Sequence, residues 1–408
     1  MFRVWYSNPD HARYYIDNTQ LLDEERNGKL ICSKLYESDA NNSKNFHKVP
    51  THIKKILYLD APDIIIEKND KPILSIEIST EAGTGHNAFQ RFSRISAAIE
   101  NNVPVLYIYP EAVYVYRRTR SGWDRINPLI FQALEKAMRI YNIPALLYYF
   151  PSNLRSGNTN FPRNTKGLLY DNNYPTCPFI NNEIQHMFDV INLLVRKANN
   201  GEEMTNLLGE ALIHSKRDDM LREFYNKTNG NTAELSPVTA TEIIPTSVLL
   251  DYLSNYSGSS YSFDGILPSR LNTLVYKVNA DFRGDPYPGA LAGLDYIMCR
   301  NGKSFEDRNL NLVLAWGNFN YDAHNNKITI TGDANKSINE FVNAVQSTYS
   351  GRKILLNKNY SELKGYEIPR YFMQVRFGSS FTKVKHIRVY SYFCDAILFH
   401  DGALWREG

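Results

Sequence analysis

With 408 residues the chain has room for two or three domains, and its 43% hydrophobic and 22% charged composition is that of a folded globular protein, which excludes a chain disordered throughout. A net charge of +3 is too small to mark a nucleic-acid binder by composition, so the placement of charge has to answer that question. No stretch approaches the roughly 20 apolar residues of a membrane span, and the opening MFRVWYSNPDHARYY lacks an apolar signal core, so a cytoplasmic protein with no membrane partner is expected.

In chain order, ILYLDAPDIIIEK and PILSIEIS are β-rich runs separated by Asn69, Asp70 and Lys71, which predicts two strands joined by a tight reversal. Gly83 and Gly85 then precede HNAFQRFSRISAAIENN, where Phe89, Phe92, Ile95 and Ile99 recur at helical spacing and Asn101 and Asn102 mark the end. VPVLYIYPEAVYVYRR reads as strand broken by Pro110, LIFQALEKAMRIYN as helix and IPALLYYF as strand, so residues 1–150 are expected to form an α/β core. From Pro151 to Thr176 the composition turns to Asn, Gly, Pro, Ser and Arg, the mark of a long loop or linker. Two helical patterns follow, NEIQHMFDVINLLVRKA and EMTNLLGEALIHSKRDDMLREFY, giving a linker and helical segment over 151–256. Strand-like LAGLDYIMC, NLVLAWG and KITITG, a helical INEFVNAVQSTY and a terminal IRVYSYFCDAILF predict a second α+β unit over 257–408. The four cysteines, Cys32, Cys177, Cys299 and Cys394, form no CxxC pair, so they are read as reduced and structural.

The chemistry concentrates at Pro62-Asp63 and Glu77-Ile78-Ser79, with the two acidic residues fourteen positions apart. A hairpin between them would bring both carboxylates to one sheet edge, and converging carboxylates are the oxygen donors a hard cation such as Mg²⁺ requires. Bound there, the metal would acidify water and offset charge on a phosphate. Alternation also places Glu77 with Ser75 and Ser79, so the same residues fit a strand with one polar, solvent-facing side.

Pro62-Asp63, a hairpin, Glu77-x-Ser79 and a following helix with Gln90 and Arg91 resemble the PD-(D/E)xK nuclease superfamily, over Ile53 to Tyr109. In that family the two acidic residues bind metal, a Lys two positions after the second positions or activates water, and a polar residue on the next helix assists. The resemblance implies a catalytic set of Asp63, Glu77, Ser79 and Gln90, with Asp63 and Glu77 as Mg²⁺ ligands. Ser79 stands where the family has Lys; Lys54, Lys55, Lys68 and Lys71 are the lysines nearest in sequence. His86, Glu81 and Glu37 also lie near this region without an assigned role.

Arg91 and Arg94 share a helix face with Gln90, and guanidinium forks match phosphate oxygens; the same face is also compatible with simple solvation. RRTRSGWDR gathers Arg117, Arg118, Arg120 and Arg125 around Trp123, a cluster that suits a phosphate backbone or an ordinary charged turn. A further cluster, Asp281, Arg283, Asp285, Asp295, Glu306, Asp307 and Arg308, has no acidic residue in the answering strand NLVLAWG, so it reads as structural or DNA-contacting. There is no phosphate loop, HExxH or GxSxG, which disfavours an ATP-driven motor or a serine hydrolase.

These readings predict a mixed-sheet, restriction-endonuclease-like α/β core at 1–150, a helical middle segment and an α+β unit at 257–408 concerned with DNA recognition. The expected activity is Mg²⁺-dependent cleavage of double-stranded DNA, of the type II restriction endonuclease kind, with a homodimer as a candidate assembly. Arg91, Arg94, Arg117, Arg118 and Arg120 are the expected DNA contacts. The rival expectations are a non-catalytic nucleic-acid-binding protein on a degenerate nuclease fold, and a repair or transposition nuclease of low specificity.

Overall fold

The computed structural model describes residues 1–35, 49–57, 61–79, 92–116, 119, 121–154, 156–162, 167–169, 181–228, 240–257, 267, 270–277, 299–303, 307–331, 394–399 and 404–405. The chain divides into two compact units, one of Met1–Ser38 with Lys44–Ala233 and one of Asp39–Ser43 with Glu234–Gly408.

The first unit runs β1 (Phe2–Tyr6), α1 (Pro9–Asp17), α2 (Leu21–Arg26), β2 (Leu30–Lys34), α3 (Thr51–Lys54), β3 (Ile64–Lys68), β4 (Lys71–Ile78), α4 (Phe92–Glu100) and β5 (Val105–Pro110). It continues with β6 (Ala112–Val115), β7 (Gly122–Arg125), α5 (Leu129–Tyr141), β8 (Ala145–Phe150), α6 (Asn182–Asn199) and α7 (Ala211–Thr228). Local chemistry sets the helix ends. Asn8 caps α1 by accepting from the Asp10 amide, and Asn181 caps α6 by accepting from Glu183 and Ile184. Asn102 (φ 60°) and Asn142 (φ 58°) take the left-handed conformation that closes α4 and α5, where Asn is tolerated better than most residues.

A six-stranded mixed sheet has the order β2-β1-β3-β4-β5-β8. β3 pairs antiparallel with both β1 and β4, while β4, β5 and β8 run parallel. α6 packs on β4 and β8, and α4 packs on β4 and β5. The sheet is thus covered on both faces, and the central strands β3 and β5 and the edge strand β8 are buried along nearly their whole length, as the apolar runs IIIEK, VLYIYP and ALLYYF require. The helices expected as a separate middle segment belong to this unit because their apolar faces, such as Ile184, Met187, Phe188 and Ile191 of α6, need a sheet to bury against.

The second unit contains β9 (Ala240–Pro245), α8 (Thr246–Ser257), β10 (Asn272–Lys277), β11 (Asn311–Trp316), β12 (Asn318–Asp322), β13 (Lys327–Thr331), β14 (Ala396–Phe399) and β15 (Leu404–Trp405). Its sheet order is β15-β14-β11-β10-β9, with parallel pairing from β10 through β11 to β14 and antiparallel strands outside. Leu249 and Leu253 of α8 join Val275, Val313, Leu398, Phe319 and Ile330 in one core. LAGLDYIM and INEFVNAVQSTY, expected as strand and helix, lie outside the described residues.

Both units are mixed α/β, as the sequence implies. No helix among the described residues is long and apolar enough to cross a membrane.

Candidate active site

β3 and β4 are joined by Asn69 and Asp70, both at positive φ (50° and 61°), the backbone twist that a two-residue hairpin turn demands. From the turn the pairs are Lys68↔Lys71 and Glu67↔Pro72, but past Ile66 they become Ile66↔Leu74, Ile65↔Ser75 and Ile64↔Ile76. One extra residue of β4 is therefore accommodated beside Pro72, which has no N–H to give to a ladder and is at home at a bulge. The bulge decides the chemistry of the strand ends. It sets Ile64 opposite Ile76, so Asp63, the residue before β3, ends beside the Glu77–Ile78 end of β4, where its carboxylate reaches the Ile78 amide.

Asp63 is fixed from two strands. Its Oδ2 accepts the backbone N–H of Ile78 at 2.8 Å, and its Oδ1 accepts the Ser7 hydroxyl at 3.2 Å. The Ser7 amide also donates to the Asp63 carbonyl at 2.9 Å, which prolongs the β1–β3 pairing. Asp63 remains partly exposed, and a carboxylate with two oxygens can accept these bonds and still offer a lone pair to a cation.

Glu77 is 1% exposed, and Ser75 and Ser79 on its face are 1% and 3% exposed. The polar side of β4 therefore does not face solvent. α4 covers it, and Arg94 of that helix places Nη1 2.6 Å from Glu77 Oε1, with only 14% of the Arg94 side chain exposed. Glu77 lies beside the fully buried Tyr107 of β5, and the Ser79 amide donates to the Ile108 carbonyl at 2.9 Å. A buried glutamate needs a charged or hydrogen-bonding partner. Arg94 supplies it from the helix that links β4 to the parallel strand β5.

The structure thus pairs Glu77 with Arg94 and bonds Asp63 to the Ile78 amide, beside the end of β4 that carries Glu77 and Ser79. Gln90, Arg91, Arg117, Arg118 and Arg120, with Glu37, Glu81 and His86, lie outside the described residues. Arg125 is exposed on β7, next to Trp123, whose ring meets Tyr114 and Phe161. Lys68 sits at the opposite end of β3 from Asp63, bonded to Asn199 at 2.6 Å and lying 4.0 Å over the Phe2 ring. At ~3.3 Å per residue it is ~16 Å along the strand from Asp63, too far to replace the family's lysine. Comparison with protein-family models, with curated proteins and with solved structures finds no match.

In the second unit, Arg308 and Asp395 form an ion pair with no exposed side-chain surface, and Asp395 Oδ2 also accepts the Leu312 amide at 2.7 Å. Arg270 bonds the Arg308 carbonyl at 2.8 Å and Asn311 at 3.0 Å, and Asn311 reaches Thr246 and Thr273. These contacts tie together the strand starts and so give Arg308 of the Asp281–Arg308 cluster a structural role; Asp281, Arg283, Asp285, Asp295 and Glu306 lie outside the described residues. Neither Ser7 nor Asp395 carries a local signal in the sequence, because each finds its partner through pairing over more than fifty residues.

Proposed function

We propose that the first unit is a Mg²⁺-dependent deoxyribonuclease of the PD-(D/E)xK type that hydrolyses phosphodiester bonds in double-stranded DNA, with Asp63 and Glu77 at its centre. The observation that carries the reading is the bond from the Ile78 amide to the Asp63 carboxylate, which puts Asp63 beside the end of β4 that carries Glu77, followed by a helix and a strand parallel to β4. The donor set suits Mg²⁺, which prefers carboxylate oxygens and keeps several waters. Held by Asp63 and Glu77, the ion would supply an acidified water and charge neutralisation at the phosphate.

The remaining work belongs to the chain. The Ile78 amide and Ser7 hydroxyl orient the Asp63 carboxylate, so its direction does not depend on the ion. Arg94 pairs with Glu77 and aims it; for Glu77 to take a cation, Arg94 must share the carboxylate or move off Oε1, where its guanidinium could meet a phosphate. Ser79 is a hydroxyl in place of the family's lysine and brings no positive charge, which leaves Arg94 as the cationic side chain observed on Glu77. The recognition element, the type II restriction character and a homodimer belong to this proposal as well.

The 2.6 Å pairing of Arg94 with Glu77, together with Ser79, also favours a second reading: a non-catalytic DNA-binding protein whose former metal site is closed by an arginine. Incubating supercoiled plasmid and phage DNA with the full chain, with and without Mg²⁺, separates the two. The first reading expects Mg²⁺-dependent cleavage, with discrete fragments if the enzyme is sequence-specific; the second expects retarded but uncut DNA.

A further inference from the structure

At the turn end of the β3–β4 hairpin, away from Asp63 and Glu77, three potential metal ligands converge. His52 of α3, Glu67 of β3 and Asp70 of the turn each present a donor atom, and all these atoms lie within 4.8 Å of one another. His52 Nε2 is 2.7 Å from Glu67 Oε2. Glu67 is 2% exposed, whereas Asp70 is exposed.

We propose that His52, Glu67 and Asp70 form a binding site for a zinc-class divalent cation. Donors bonded to one such ion at about 2.0–2.2 Å are separated from one another by roughly 3–3.5 Å. That spacing falls between the 2.7 Å His52–Glu67 approach and the 4.8 Å limit of the group, so small side-chain rotations suffice. The imidazole nitrogen selects Zn²⁺, Co²⁺ or Ni²⁺ over Mg²⁺ and Ca²⁺, which favour all-oxygen shells. The two oxygens of Glu67 are divided in a way that suits this role: Oε1 faces the Arg3 guanidinium at 3.6 Å, which fixes the carboxylate, and Oε2 faces His52. Asp70 is held at φ 61° in a turn position that glycine fills with least strain, so the hairpin itself sets where its Cα–Cβ bond starts. Three ligands from a helix, a strand and a turn would lock α3 to the hairpin and leave a coordination position toward solvent, because Asp70 and part of His52 are exposed.

This site does not rest on the nuclease reading. Glu67 lies four positions after Asp63, ~13 Å along the extended chain. The test is a calorimetric titration of the chelator-treated full chain with Zn²⁺ in excess Mg²⁺, repeated with Co²⁺ while following its visible absorption. One equivalent should bind, His52→Ala should abolish it, and Asp70→Asn should weaken it at least tenfold. Asp70 is exposed, so its variant keeps the fold, and circular dichroism checks that His52→Ala does too. Asp63→Asn and Glu77→Gln should bind Zn²⁺ as wild type does, whether or not either carboxylate matters for DNA. The proposal is overturned if wild type binds no Zn²⁺ at micromolar concentration, or if Asp70→Asn and a folded His52 variant bind it unchanged.

Discussion

Arg94→Met tests whether Glu77 is held as an ion inside the sheet. Removing one partner of a buried ion pair costs about 3–5 kcal/mol, because the other charge stays behind in a poor solvent. Glu77 is 1% exposed, but Arg94 retains 14% of its side-chain surface, so water reaches the pair and the lower end, about 3 kcal/mol, applies. At ~1.4 kcal/mol per tenfold, that is a factor of roughly 100 in an opening equilibrium. Hydrogen exchange followed by mass spectrometry on peptides covering 71–79 and 105–110 should therefore accelerate about a hundredfold. The double variant Arg94→Met/Glu77→Leu leaves no buried charge and should return to within about 1 kcal/mol of wild type. Arg13→Met provides the contrast: its pairs with Asp17 and Glu25 are exposed, and exposed pairs contribute under ~1 kcal/mol. Exchange in Arg94→Met within threefold of wild type would refute the argument.

Asp63→Ala should destabilise the first unit by about 2 kcal/mol in urea unfolding, since the Ile78 amide and Ser7 hydroxyl lose a charged acceptor; Asp63→Asn should cost less, and equal costs would contradict the bonding described. His186 accepts from or donates to Tyr148 and Ser215, and burial first, then the Lys216 charge, lowers its pKa below the ordinary 6.5, against the opposing pull of Glu183 and Asp189. The unfolded chain then takes up a proton that the folded one refuses, so stability is complete above about pH 6.5 and declines as pH falls below it. His186→Gln should flatten that decline in thermal melts, and a wild-type-like slope would reject His186 as its source. Arg308→Met should speed amide exchange at 311–316 and 396–399 through the buried charge left on Asp395, while β4 and β5 stay unchanged; equal acceleration in both units would contradict the division of the chain.

The strands and helices of the first unit were legible where a single periodicity ran long enough. PILSIEI, VLYIYP, LIFQALEKAMRIY and ALLYYF all take the form their patterns imply. Asn101-Asn102 does end a helix, through the left-handed backbone of Asn102. What the sequence could not convey depended on pairing. FRVWY is short and sits at the chain start, and only its ladder with β3 makes it a central strand. The bulge beside Pro72 is one residue of register, invisible to alternation, yet it decides that Ile64 pairs with Ile76 and so which end of β4 lies beside Asp63. The serines flanking Glu77 suggested a wet face, and α4 and Arg94 make it dry. Helix α6 looked like part of a separate segment because a long polar stretch precedes it, and its apolar face discloses a need for burial without saying against which sheet.

The most direct test of the central claim is cleavage of plasmid DNA by the full chain at saturating Mg²⁺, run beside Asp63→Asn and Glu77→Gln variants whose folding is verified by circular dichroism and whose DNA binding is measured with Ca²⁺ in place of Mg²⁺. The account predicts cleavage by wild type, loss of at least a thousandfold in rate for each variant, as removing a metal ligand implies, and DNA affinity within tenfold of wild type. Mg²⁺-dependent cleavage that survives in both folded variants, or no cleavage of any DNA by wild type, would contradict it.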